Sequence, residues 1–252
     1  PEGIRFVRRV APGKWLVGGD DGAVATITAD GVTDVFRLDG TSMRFVNFSG
    51  DLDDLAVLAT VSADGPPTLR GLSARRWLKP LPLPEVAFLS SLARIGDERW
   101  LLSGRKRDGG AFAAIHSPLD WDFEPIPCPD VRAFLACAGQ WERGFGLVTG
   151  AEGAAIWIEG ARVDNEHVEG DFDLSAAGLD PVGRGWTASA GHIWLRQSVR
   201  LSNGGPPVGR WERLWSDPDW ASPIVSIFPD IGGVMAMSAD GGIVEGRVER
   251  VG

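Results

Sequence analysis

Residues 13–38, GKWLVGGDDGAVATITADGVTDVFRL, hold a short unit that recurs along the chain and limits what the chain can fold into. Trp15, Leu16 and Val17 form an apolar run, and Asp21-Gly22 predicts a turn. Residues 23–28 alternate small apolar residues with Thr, Asp30-Gly31 predicts a second turn, and Val35, Phe36 and Leu38 supply a third run. Asp-Gly between such runs is a hairpin signal, because glycine takes the positive φ of a tight turn without a Cβ clash. The unit returns in degenerate form at 54–71, 99–116, 143–159, 184–197 and 233–247. Its anchors, Trp15, Leu55, Trp100, Phe145, Trp186 and Val234, recur roughly every 40 to 48 residues, the period of four-stranded propeller blades.

Each unit follows another apolar run, at 4–10, 43–48, 86–95, 131–138 and 224–228, with a weaker one at 174–182. After several units comes a segment with an aromatic residue or Leu-Pro: 36–38, 77–84, 121–127 and 211–215. The order predicts four strands per repeat and about six repeats. A lone four-stranded sheet has two faces and can hide them only against neighbours, whereas a ring of sheets hides both and leaves short, protected edges. The expected fold is therefore all-β: a single β-propeller domain over residues 1–252, with about six four-stranded blades. The termini are expected to close the ring, with 245–251 beside a strand near 4–10. Residues 72–78 are the best helix candidate, about one turn before a Pro-rich stretch that cannot continue it. Residues 195–210 predict a longer Gly/Pro loop.

The composition suits many short strands: 44% of the 252 residues are hydrophobic, with 34 Gly and 17 Pro. Eleven Trp against no Tyr make large aromatics packing units without a phenol to satisfy. A net charge of −9 argues against nonspecific binding to nucleic acid or an anionic membrane. The two cysteines, Cys128 and Cys137, are no disulfide framework or metal cluster and read as reduced, largely buried thiols. No run of about 18 apolar residues predicts a membrane helix. PEGIRFVRRV has no hydrophobic leader core, so cytoplasmic is the expected location.

The order of apolar strand, Gly-x-Trp-x-x-Gly, Gly-hydrophobic strand, Asp-Gly, Trp and Leu-Pro resembles the BNR/YCF48-like, WD40-like class of β-propeller repeats. Three stretches carry the resemblance: Lys14 to Gly19; Ser117-Pro118-Leu119-Asp120-Trp121 followed by Ile126-Pro127; and Ser238-Ala239-Asp240-Gly241-Gly242. The Asp-box of sialidases, Ser-x-Asp-x-Gly-x-x-Trp, is incomplete in each: the last lacks the Trp and the second lacks the Gly. The resemblance implies a scaffold more than a chemistry.

The remaining side chains offer few catalytic patterns. Asp51, Asp53 and Asp54, Glu166, Asp171 and Asp173, and Asp217 and Asp219 read as solvated turns, given the turn preference of Asp. Glycosidase or calcium chemistry would need such carboxylates to converge across a cleft or on one point. His116, His167 and His192 fall in different repeats without ligand spacing, so no metal site is expected. Gly18 to Gly22 is Gly-rich but acidic, the wrong charge for cradling phosphate. No cofactor is expected. Trp15, Trp100 and Trp186 read as packing between blades. Trp211 and Trp215, near Arg210 and Arg213, combine aromatic and guanidinium groups as interface hot spots do. Arg105-Lys106-Arg107 is the one basic run, in a turn between second and third strands, and suits an acidic partner. The expected function is a non-catalytic protein-interaction scaffold within a larger assembly, binding one or more proteins through Arg105, Lys106, Arg107, Trp211 and Trp215. A glycan-binding propeller lectin is the alternative, and a propeller hydrolase or lactonase on the channel axis ranks third.

Overall fold

The computed structural model describes residues 4–11, 13–19, 23–37, 43–50, 54–62, 65–74, 76–200 and 205–247. Blade one is β1 (Ile4–Ala11), β2 (Lys14–Gly19), β3 (Ala23–Thr28) and β4 (Gly31–Arg37). Blade two is β5 (Met43–Gly50), β6 (Leu55–Ser62) and β7 (Thr68–Ser73), with two short strands, β8 (Arg76–Trp77) and β9 (Leu81–Pro82), both paired to β7. Blade three is β10 (Val86–Arg94), β11 (Trp100–Lys106), β12 (Ala111–Ser117) and β13 (Asp122–Pro125). Blade four is β14 (Phe134–Gln140), β15 (Phe145–Gly150), β16 (Ala154–Glu159) and β17 (Arg162–His167). Blade five is β18 (Ala176–Leu179), β19 (Gly185–Ser189), β20 (His192–Val199) and β21 (Val208–Ser216). Blade six is β22 (Ile224–Asp230), β23 (Gly233–Ser238) and β24 (Ile243–Arg247).

The six antiparallel sheets stand in a ring, a six-bladed β-propeller. First strands of successive blades lie side by side: β1 with β5, β5 with β10, β10 with β14, β14 with β18 and β18 with β22. The first strand of every blade therefore lines the centre. Among the described residues blade two carries five strands and blade six three, while the expected four hold for the other blades. At the two ends of the chain β1 pairs with β2 and β24 with β23. The expected pairing of 245–251 with a strand near 4–10 involves residues 248–251, which lie outside the described residues.

Alternation along each strand divides the core into layers between blades. In blade three, Trp100, Leu102 and Ala114 pack against Leu55, Val57 and Ala59 of blade two, while Leu101, Ala113 and Ile115 pack against Phe134, Val148 and Ile156 of blade four. Leu147 and Trp157 meet Ala177 and Leu179 of blade five, and Trp186, Ile193 and Leu195 meet Ile224 and Ile227 of blade six. Trp100 and Trp186 are fully buried. Trp15 departs from the expected packing: it is 39% exposed on β2. The turn signals work as read. Gly31, Gly109 and Gly241, each after an Asp, have φ of 117°, 99° and 89°. Among the described residues of 72–78 none is helical: Leu72 and Ser73 end β7, Arg76 and Trp77 form β8, and Leu72 pairs with Trp77.

In blades three, four and five an arginine just before the second strand ties the blade to the next. Arg99 donates to the Gly160 carbonyl (3.2 Å), Arg143 to Val182 (2.7 Å) and Arg184 to Ile231 (3.3 Å). Asp180, fully buried, holds this corner of blade five: it accepts from Arg184 Nε (2.5 Å), Trp186 Nε1 (3.3 Å) and the backbone N–H of Val182 and Arg184.

Candidate functional site

In a four-stranded up-and-down sheet, the turn between second and third strands and the link to the next blade emerge on the same face. In blades three to six these segments surround a cavity of about 810 Å³. Arg132 and Leu135 come from the entry to blade four and Glu152 from its second turn. Asp171, Phe172, Asp173 and Ser175 come from the link into blade five, Ser189 and Ala190 from that blade's turn, and Pro223 from the link into blade six. Leu135 sits on β14, so the cavity opens beside the central strands.

Backbone bonds fix these loops against one another. Gly153 N–H donates to Phe172 O (2.7 Å), Val168 N–H to Gly153 O (2.8 Å) and Leu174 N–H to Gly150 O (2.9 Å). The turn is tight: Glu152 has φ 58°, Gly153 has φ 70°, and a Cβ on Gly153 would stand 2.4 Å from Val168 O. Holding a non-glycine residue left-handed costs roughly 1–2 kcal/mol, and it turns the Glu152 side chain outward to an exposed position. Phe172 packs on the rings of His192 (4.5 Å) and Trp194 (5.2 Å). Ser175 Oγ donates to Ile224 O at 2.6 Å, joining the floor to blade six.

Three carboxylates and one guanidinium, an Arg132–Asp173 ion pair, give this mouth a negative balance. Both partners of that pair are well exposed, so the pair adds little stability. Asp171 and Asp173 were expected as solvated turns with no site. They do lie in a turn, but with Glu152 they converge on a cavity. Glu166 corrects the same expectation more sharply. It is buried between blades four and five, where Arg196 Nε and Nη2 bind it bidentately (2.9 and 2.6 Å) and Trp211 Nε1–H donates to it at 3.0 Å. The Arg196 guanidinium lies 4.0 Å over the Trp157 ring.

Arg105, Lys106 and Arg107 stand on the same face as the mouth, in blade three but outside the cavity lining. Their turn is closed by Lys106 N–H to Gly110 O (2.7 Å) and anchored by Arg107 N–H to Glu85 O (2.8 Å). Arg105 and Arg107 are exposed, and among the described residues neither makes an ion pair. Trp211 and Trp215 lie two blades away and half-buried. Trp211 joins the packing between blades four and five, and Trp215 joins that between five and six, edge-on to Trp220 at 5.8 Å. The structure does not bring them together with Arg105–Arg107.

Among the described residues no group of three or more His, Cys, Asp and Glu is placed to hold a metal ion. His116 is buried on β12, donates from Nδ1 to Asp122 O at 2.9 Å, and has its pKa pushed down by burial. Burial pushes the Cys128 thiol up. The Ser238-to-Gly242 stretch forms a closed turn in which Ser238 and the Gly242 N–H both donate to Asp240, and these bonds hold its pKa down. The Trp missing from that motif in sequence has a spatial counterpart: a Cβ on Gly242 would lie 2.7 Å from the Trp220 ring.

No family model matches the chain, and no curated protein matches it in sequence. Solved structures share its fold. The WD40 repeats of RRP9 superpose with a TM-score of 0.68 at 13% identity, over 98% of this chain and 77% of that one. Virginiamycin B lyase from Staphylococcus aureus gives 0.69 at 10% identity, over 98% and 85%. The computationally designed Ika8 protein gives 0.64 at 12% identity, over 97% and 71%. At such identities the likeness is one of fold, and propellers host unrelated functions.

Proposed function

We propose that this chain is a non-catalytic protein-interaction scaffold that works within a larger, cytoplasmic assembly. One observation carries the proposal: the links into blades four, five and six and the second turns of blades four and five converge on a broad charged mouth, with the exposed Arg105 and Arg107 on the same face. A rigid ring that presents unlike loops on one face is suited to docking by shape and charge. The fold shared with WD40 repeats and the BNR/YCF48-like motifs of the sequence support the same reading. The test is affinity purification with mass spectrometry, repeated with Arg105→Glu, Lys106→Glu and Arg107→Glu combined. A partner captured by the wild type and lost by the variant, at unchanged melting temperature, is the expected result. Equal capture removes that loop from the interface, and no specific partner at all removes the scaffold.

A propeller hydrolase or lactonase is a second reading, favoured by Glu152, Asp171 and Asp173 beside the central strands. A lectin would repeat one pocket in every blade. Here the equivalent second-turn position is Glu152 in blade four and Ser189-Ala190 in blade five, which counts against it.

A further inference from the structure

In blades three to five the face presented to the next blade is covered: Leu101, Leu147, Trp157, Trp186 and Ile193 are buried by the blade that follows. Blade six turns Ile227, Ala236 and Val244 to blade five, so alternation puts Phe228, Met235, Met237 and Ile243 on its other face. Those four are 51%, 41%, 39% and 61% exposed. A cavity of about 430 Å³ opens there, with Phe228 and Met235 in its lining and Asp230, Glu245 and Arg247 around them. Among the described residues Asp230 and Glu245 make no ion pair. Beside this groove runs β24, which among the described residues pairs with β23 alone, where blades one, three, four and five carry a fourth strand. Its pairing with β23 is regular, and the strand has no Pro or bulge; the charges on its five residues are Glu245 and Arg247.

We infer that β24 and the groove beside it accept an extended segment of a partner protein, which adds as the fourth strand of blade six. Backbone bonding to the edge supplies affinity, and alternate side chains supply specificity. The segment carries apolar residues at alternate positions, one of them flanking Ile243 on β24. It also carries a basic residue, since two of the three charges around the groove are carboxylates and the chain as a whole is acidic. This rests on the scaffold reading and gives it a second surface, apart from the mouth.

The probe is a labelled peptide, KVTVRVTVK, titrated by fluorescence anisotropy against the whole chain. The controls are KVTPRPTVK, which cannot pair, and EVTVEVTVE, of the wrong charge. We expect binding at least tenfold tighter than to either control, with slowed hydrogen exchange of β24 amides. Ile243→Lys with Glu245→Lys weakens it at least tenfold, and Glu245→Lys alone weakens it by less. Equal binding of the three peptides overturns the inference, as does protection over 168–175 in place of β24. β24 amides already protected in the peptide-free protein overturn it too, either at all concentrations (the chain's own residues fill the edge) or in step with concentration (a second copy does). If an affinity-captured partner is retained by the Ile243→Lys, Glu245→Lys variant, the edge is excluded and the scaffold stands. If no partner is captured while the peptide still binds β24, the scaffold reading fails and the edge stands.

Discussion

Trp100 and Trp15 occupy one place in the repeat and carry different weight. Trp100 is sealed between blades two and three, with its Nε1–H donated to Ser49 O at 3.2 Å. Trp100→Ala should cost about 3–5 kcal/mol in denaturant unfolding, whereas Trp15→Ala, at a partly exposed position, should cost well under half as much. His116 supplies a pH test. The folded chain keeps it below the ordinary histidine value of about 6.5, so the unfolded chain takes up its proton first as pH falls. Its contribution is therefore complete above about 6.5 and shrinks as pH drops toward the lowered folded value. Urea midpoints for wild type and His116→Gln should converge between pH 7.5 and pH 5, the wild type losing more. Parallel slopes would show that His116 is not the group titrating.

Strands are stitched into blades by local rules and into a ring by close approach. On β14, a Cβ at Gly139 would stand 2.0 Å from Arg94 O of blade three, so Gly139→Ala must push two central strands apart. The expected loss is about 1–3 kcal/mol by the usual cost of overpacking. Gly160, left-handed at φ 61° with nothing within 4 Å, should lose only the backbone preference, roughly 1–2 kcal/mol, on change to Ala. Thermal melts of both variants would rank them. The local part was readable in the chain. Asp-Gly turns and apolar runs declare strands within a few residues, and the anchors gave the number of blades. Three facts were not readable at this level. Leu72 pairs with Trp77 because β7 needs an outer partner, which no helical propensity reveals. Trp15 looks like its counterparts, yet its exposure depends on a neighbouring blade. Glu166 resembles any turn acid until Arg196 is placed beside it; a charge inside the apolar run Ile193-Trp194-Leu195-Arg196 was the one available hint.

For the whole molecule the mouth is a product of closure. Arg132 and Pro223, at opposite ends of its lining, are separated in sequence by the eight strands of blades four and five, and nothing in spacing announces their meeting. The basic turn could be named from composition alone, while Trp211 and Trp215, chosen on residue type, lie in packing between blades. If charge at the mouth face governs docking, partner association should slow as salt rises from 50 to 300 mM, and the Arg105–Arg107 reversal should flatten that dependence; about 8 Å of screening length at physiological salt sets the scale. The buried Arg196–Glu166 pair has an optical consequence. With no tyrosine in the chain, ultraviolet emission comes from indoles, and two of these, Trp157 and Trp211, bracket the guanidinium and carboxylate. Once that junction parts, water reaches both rings, so the share of the emission that comes from these two of the eleven indoles shifts to the red as blade four slips from blade five, against no phenol background.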